Sequence, residues 1–257
     1  MAAAMTATPR HVDSYDLYGG KITPVTIDDL LSLLESYVDC GQQCIVASQN
    51  MHGLRVRLQD AAMRRLHELP QTYVHIDGMP LVLLSRLRGI QASRRHRVTL
   101  VDFIWPLLAL AERRAWRVYF LGGSDAVVQA ASGRIGARFP RLDFRARQGY
   151  FEESSSSAVA SQIASFAPHV VLVGMGMGRQ ESWILDHYEA LAPASIVTVG
   201  ACMEYIAGTV GTPPRWMGRT GLEWLYRFAE NPSRFWRRYL IEPWIVLAYV
   251  LWYTVSR

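Results

Sequence analysis

Apolar and polar positions change their period several times along this 257-residue chain. From Thr26 to Val38 (TIDDLLSLLESYV), Leu30, Leu33, Leu34 and Val38 recur at helical spacing. Thr26 is placed to cap that helix, with Asp28 and Asp29 in its first turn. Short apolar runs follow at Cys44–Ala47, Thr72–Ile76, Arg117–Leu121, Val170–Val173 and Ser195–Val199. Each has the length of a strand and little polar alternation, the pattern of strands covered on both faces. Helices are predicted between them over Gly53–Leu69, Phe103–Arg113, Asp125–Phe139 and about Gln180 to Ala190. The alternation predicts an α/β fold, Rossmann-like, with a mostly parallel sheet and helices on both faces. Phe151–Ser157 (FEESSSS) reads as a surface linker, and no internal repeat is visible.

The two ends differ from this middle. Met1–Pro9 is Ala/Thr-rich and lacks the basic and apolar regions of a signal peptide, so residues 1–20 are expected to form a flexible tail. Residues 21–211 form the expected α/β unit. Residues 212–257 are an Arg/Trp-rich appendage: from Pro213 onwards seven arginines face three glutamates, and five of the eight tryptophans lie here. Pro243–Val255 (PWIVLAYVLWYTV) carries no charge. A spanning helix needs about 20 apolar residues, so this run is either a segment lying on a membrane or a terminal core helix.

Composition narrows the class. Half the residues are apolar and 19% are charged, which excludes a disordered, collagen-like or coiled-coil chain. Cys40, Cys44 and Cys202 are odd in number and lack C-x-x-C spacing, so they read as free thiols. The net charge is +5, and Lys21 is the only lysine. Arginine grips phosphate in a fork, so the skew leans towards phosphate-bearing partners, although a GC-rich genome would also produce it.

In an open α/β sheet, ligands bind beyond the carboxyl ends of the strands. Ser48 and Asn50 follow the first strand, Asp77-Gly78 the second, Gly122-Gly123 the third, Gly174-Met175-Gly176 the fourth, and Gly200 the fifth. Small residues there let backbone N–H groups approach a phosphate, or else simply permit tight turns. Asp77, fixed at a strand end beside a glycine, suits a general base; the alternative is a cap for a helix starting near Pro80. Asp102 precedes a helical run, where capping is the stronger reading. No D-x-D occurs, and the histidines are scattered, so no metal site is expected. A bound diphosphate would then be neutralised by arginines and backbone amides. Arg227, Arg234 and Arg238 are spaced by seven and four, as on one helical face.

Several of these pieces have a familiar order. Gly200-Ala201 through Ala207-Gly208, Pro214-Arg215-Trp216, Gly221-Leu222-Glu223-Trp224-Leu225-Tyr226-Arg227, Pro232, Arg234 and Arg237-Arg238-Tyr239 resemble the C-terminal signature of the WecG/TagA/CpsF family of bacterial glycosyltransferases. Gly174-x-Gly176 with Gln180-Glu181-x-Trp183, Asp77-Gly78 and Ser48-x-Asn50 resemble its upstream blocks. There are departures: Ser48 replaces a Thr, Gly178-Arg179 stand where a Pro precedes the Gln-Glu pair, Leu100 replaces a Gly, and Glu204 replaces an Asp.

The resemblance implies an inverting, metal-independent hexosyltransferase without a cofactor. The donor would be a UDP-sugar carrying glucose, N-acetylmannosamine or its uronic acid. The acceptor would be a polyprenyl-diphosphate-linked sugar at the cytoplasmic face of the inner membrane, in surface-polysaccharide synthesis. By that likeness Asp77 is the catalytic base. Ser48, Asn50, Asp102, Gly122, Gly123, Gly174, Gly176, Gln180 and Glu181 contact substrate, and Arg215, Arg227, Arg234, Arg237 and Arg238 close over the diphosphates. The C-terminal helical appendage would meet the membrane surface, where Trp, Tyr and Arg settle. The alternative is a non-catalytic nucleotide-binding membrane adaptor, which would not need Asp77. A nucleic-acid partner is not expected, since no helix-turn-helix or RNA-recognition motif appears. The glycine spacing is wrong for a dinucleotide-dependent oxidoreductase. A homo-oligomer is left open.

Overall fold

The computed structural model describes residues 8–212, 214, 217 and 221–256, leaving aside the side chain of Arg234. Six parallel strands form one sheet in the order β4-β3-β8-β7-β5-β6. They are β3 (Ile45–Gln49), β4 (Thr72–Ile76), β5 (Arg117–Gly122), β6 (Asp143–Arg147), β7 (Val170–Gly174) and β8 (Ser195–Thr198). A small antiparallel pair, β1 (Tyr15–Asp16) and β2 (Lys21–Ile22), precedes them. Helices cover both faces, which is why β3, β4, β7 and β8 are buried along their whole length.

One face packs on α1 (Ile27–Asp39), α5 (Leu100–Arg113), α6 (Asp125–Arg138) and α9 (Cys202–Ala207). Leu30, Leu33, Phe103, Leu107, Ile135 and Met203 carry that layer. The other face packs on α3 (Ala61–Glu68), α7 (Ser156–Phe166) and α8 (Arg179–His187), through Leu66, Ile163, Trp183 and Ile184. The cap on α1 is as expected: the Thr26 hydroxyl accepts from the Asp29 N–H, and the Asp29 carboxylate accepts from the Thr26 N–H.

Four expectations change. The predicted helix over Gly53–Leu69 is two helices, α2 (Met51–Arg57) and α3, because Asp60 caps a new start by accepting from the Met63 N–H. Phe151–Ser157 is not all linker: Glu153–Ser155 form a 3-10 turn and Ser156 begins α7. Strand β6 was not anticipated, since DFRAR is a partly exposed edge with no apolar run. The expected tail is built in from Tyr15 onwards, because Leu17, Tyr18 and Ile22 are buried.

What buries Leu17 and Tyr18 is the other end of the chain. A cluster at the β4 edge joins them to Leu81 and Val82 of α4 (Met79–Leu87), and to Val246, Val250 and Tyr253 of α12 (Glu242–Val255). Tyr249 Oη donates to the Tyr18 carbonyl at 3.1 Å and Tyr253 Oη to Asp16 Oδ1 at 3.0 Å. The uncharged C-terminal run is therefore half core helix. Its other side is bare: Trp244, Leu251, Trp252 and Val255 are all exposed. Ahead of α12 lie α10 (Glu223–Glu230), α11 (Pro232–Trp236) and a π-helical turn (Arg237–Ile241). Among the described residues no helix is long and apolar enough to cross a membrane.

His67, on α3, is buried with neither ring nitrogen hydrogen-bonded. Burial, then the nearby Arg57 charge, push its pKa down to about 3. The folded state therefore holds a neutral ring that the unfolded chain protonates below its ordinary value. His67 should leave stability intact above about pH 6.5 and erode it as pH falls towards 3. Urea midpoints should fall between pH 7 and pH 4. His67→Leu, which removes the titrating ring, should shrink that fall; an unchanged pH dependence would contradict the assignment.

Candidate active site

The carboxyl ends of β3, β4, β5, β7 and β8 open on the same edge of the sheet, and the loops that leave them are held backbone to backbone. Gly123 N–H donates to the Gly174 carbonyl at 3.3 Å, and Gly149 N–H to the Gly123 carbonyl at 2.9 Å. A Cβ on Gly122 would lie 2.1 Å from the Gly174 oxygen, and one on Gly174 2.6 Å from the Gly200 oxygen. These two glycines let adjacent strand ends close on each other. Gly176, at φ +87°, has open space where a Cβ would point. Gly123, Gly174 and Gly176 line a cavity of about 170 Å³, together with Tyr150, Arg179 and Glu204. Gly122 does not.

Asp77 follows β4, and its N–H donates to the Gln49 carbonyl at 2.8 Å, which ties it to the end of β3. Its Oδ2 accepts from Asn50 Nδ2 at 3.2 Å. Asn50 is itself fixed as the cap of α2, where Oδ1 accepts from the Gly53 N–H at 2.9 Å. The amide thus uses one end on the helix and the other on the carboxylate. Asp77 does not cap α4; Gly78 holds that position, with no side-chain hydrogen bond. Ser48 is buried on β3 beside Asn50, with its N–H on the Thr198 hydroxyl at 3.3 Å.

Asn50 and Asp77 line a cavity of about 390 Å³ closed on its far side by the C-terminal segment. Arg227 of α10 and Arg238 of the π turn both lie on this cavity and feel the Asp77 charge. For Arg238, burial pulls the pKa below its ordinary value against the pull of neighbouring anions. For Arg227, burial acts the same way, but Tyr205 and Asp77 outweigh it and the pKa is raised. Both stay charged. Neither has a carboxylate within ion-pair distance among the described residues. Arg227 lies over the Tyr205 ring at 5.4 Å, and its Nε is buried with no partner. Burying a guanidinium this way is costly unless an anion completes it.

His52, Arg97 and Glu223 also line this cavity. Arg97 donates to Glu223 Oε1 at 2.8 Å, joining the α/β unit to α10. His52 Nδ1 meets Glu242 Oε2 at 2.6 Å, joining α2 to the start of α12. Burial and the Arg238 charge lower the His52 pKa, and Glu242 opposes them. Sequence reading missed Arg97 as a site residue, dismissed His52 as scattered, and gave no sign of the Glu242 carboxylate that holds His52. The signal for Arg97 was its place in an arginine run soon after Asp77; His52 and Glu242 are too far apart in sequence to suggest each other. Arg97, Glu223 and Arg227 also wall a second cavity of about 420 Å³ that carries Asp102. Asp102 lines that cavity but is not the helix cap: α5 starts earlier, at Leu100, and Thr99 caps it by accepting from the Asp102 N–H at 3.3 Å, while Asp102 Oδ2 accepts from the Thr99 hydroxyl at 2.8 Å.

The remaining candidates fall elsewhere. Gln180 and Glu181 are buried, and Gln180 Nε2 donates to Glu181 Oε1 at 2.8 Å. Glu181 also accepts from the Gly178 N–H, and burial raises its pKa. Neither lines one of the three cavities described. Arg237 is exposed and lies over the Trp236 ring at 5.3 Å. Arg215 and the Arg234 side chain lie outside the described residues. The expectation of one helical face for Arg227, Arg234 and Arg238 is not met. The helix breaks at Asn231, extended ahead of Pro232, so Arg227 and Arg238 reach the cavity from separate elements.

A family model described as "Glycosyl transferase WecG/TagA/CpsF family" matches residues 15–257, nearly the whole chain. The chain belongs to that family. Its relatives include N-acetylglucosaminyldiphosphoundecaprenol N-acetyl-beta-D-mannosaminyltransferases. The one from Bacillus subtilis (strain 168) is 30% identical over 168 residues, 65% of this chain and 64% of the relative. The one from Staphylococcus aureus (strain NCTC 8325 / PS 47) is 28% identical over 156 residues, 61% and 60% respectively. The chain thus matches somewhat less than two thirds of the length of these relatives. The family match spans both the sheet edge with Asp77 and the segment with Arg227 and Arg238.

The loop packing gives a stability test. Gly122→Ala should lower unfolding free energy by at least about 1–3 kcal/mol, because its Cβ meets backbone that cannot swing away. Gly176→Ala has space and carries only backbone strain of about 1–3 kcal/mol. In urea titrations the first should be the more damaging, and the reverse order would contradict the close-packing role.

Proposed function

We propose that this chain is an inverting hexosyltransferase that moves a sugar from a UDP-sugar to a sugar on a polyprenyl diphosphate, without a metal ion. The observation that carries the reading is the Asn50-held Asp77 carboxylate sharing a cavity with Arg227 and Arg238. Asp77 takes the proton from the acceptor hydroxyl as its oxygen attacks the anomeric carbon from the face opposite UDP. The new C–O bond forms as the bond to the diphosphate breaks, and the electron pair leaves on UDP. The configuration inverts. Negative charge grows on the departing diphosphate, and fixed donors stabilise it there. On this reading Arg227, Arg238 and backbone amides supply that stabilisation.

The loops at Gly123, Gly174 and Gly176 give the donor a place where backbone N–H groups approach phosphate, with Ser48 nearby at the strand ends. The names of the relatives make N-acetylmannosamine the first donor sugar to try and N-acetylglucosaminyl diphospholipid the first acceptor. The exposed apolar side of α12 supports action at a membrane surface, on its cytoplasmic side, where a lipid-linked acceptor and a soluble nucleotide sugar meet.

Asp77→Asn should lower turnover about 10²–10⁴-fold while UDP-sugar affinity changes little. Near-normal turnover would remove Asp77 from the role, and a protein that binds UDP-sugar yet never transfers would favour the adaptor. Transfer should also persist in excess EDTA. Loss in EDTA with recovery on magnesium or manganese would overturn the metal-independent mechanism.

A further inference from the structure

We propose that helix α4 forms a second bilayer contact, distinct from α12, and that the two together seat the Asp77 cavity on an anionic lipid surface. The inference rests on the proposed reading only in taking the chain to a membrane.

Helix α4 buries Leu81, Val82 and Ser85 and turns Leu83 and Leu87 outward, 55% and 77% exposed. These leucines are four apart and share a face. Single exposed leucines are ordinary on a protein surface; their surroundings are not. Between Asp77 and Asp102 the chain carries five arginines and no acidic residue. Arg86, Arg88, Arg94 and Arg95 are exposed. A surface that pairs outward leucines with unopposed arginines complements the negative headgroups and apolar interior of a bilayer.

The position of α4 joins this surface to α12. Arg88 lies over the Tyr18 ring at 5.6 Å and the Tyr253 ring at 5.9 Å, so the end of α4 sits against α12. Helix α12 exposes Trp244, Leu251 and Trp252. Met79 and Pro80, in the first turn of α4, and Pro243, in the first turn of α12, both line the cavity that holds Asp77. A bilayer that receives both helices therefore lies close to that cavity.

The test uses the full chain with Cys40→Ser and Leu87→Cys, carrying an environment-sensitive dye at position 87; Cys44 and Cys202 are buried and would not take it. A matching protein carries the dye at position 251. On vesicles of phosphatidylcholine mixed with phosphatidylglycerol, both dyes should shift to the blue and be quenched by lipid-borne quenchers, more than on phosphatidylcholine alone. Unlabelled Leu83→Glu/Leu87→Glu should bind the anionic vesicles at least about tenfold more weakly, with wild-type thermal stability and unchanged turnover on a water-soluble acceptor. A dye at position 87 that stays in water while that at 251 enters lipid would overturn the second contact. Equal entry into neutral and anionic vesicles would overturn the charge complement, and entry at neither position would overturn the surface altogether. The dye and vesicle-binding readouts need no catalysis, so the proposal stands or falls apart from the transfer reaction.

Discussion

A carboxylate held by one side-chain amide, facing two half-buried guanidinium groups, organises this molecule. Asn50 commits its oxygen to the start of α2 and its amide hydrogen to Asp77, so the carboxylate is positioned by the sheet and not by a mobile loop. Arg227 and Arg238 come from the far end of the chain, are each half-buried, and find no carboxylate in ion-pair contact among the described residues. That arrangement is expensive in an empty protein and well suited to one that receives a diphosphate. The paired contacts around it, Arg97 with Glu223 and His52 with Glu242, fasten the C-terminal segment to the sheet edge and so place the two arginines.

The same dependence explains why the two chain ends meet. The far wall of the cavity is made by residues from Gly221 onwards, and these need a fixed seat. Leu17 and Tyr18 supply it by packing on Val246, Val250 and Tyr253, and two tyrosine hydroxyls bond across the join. The C-terminal helix thus has two sides with different duties. One completes the core, and the other leaves large apolar side chains in the open, which a soluble domain rarely does over a contiguous face.

The buried strands β3, β4, β5, β7 and β8 were legible because strands covered on both faces must be apolar throughout. Their carboxyl ends therefore also pointed to Asn50, Asp77 and the glycine loops. Strand β6 was not legible, since an edge strand with alternating arginines satisfies its polar groups in water. The break at Asp60 hid inside a helical pattern, where an N-cap looks like any surface carboxylate. In the site, the arginines beyond residue 221 were legible as a cluster, but not their geometry. Spacing suggested one helix face, whereas Asn231 and Pro232 fold the chain so that Arg227 and Arg238 approach from different elements. The Arg97–Glu223 and His52–Glu242 contacts join residues far apart in sequence, so only the folded chain brings them into view.

The central claim is that Asp77 and Arg227 act on one transition state, one on the entering hydroxyl and the other on the leaving diphosphate. A double-mutant cycle on kcat/KM, with Asp77→Asn and Arg227→Gln measured singly and together on a water-soluble acceptor, tests it most directly. Each single change should cost at least about a hundredfold, and the double variant should lose less than the product of the two, as coupled groups do. An Arg227→Gln enzyme with undiminished kcat/KM would contradict the account.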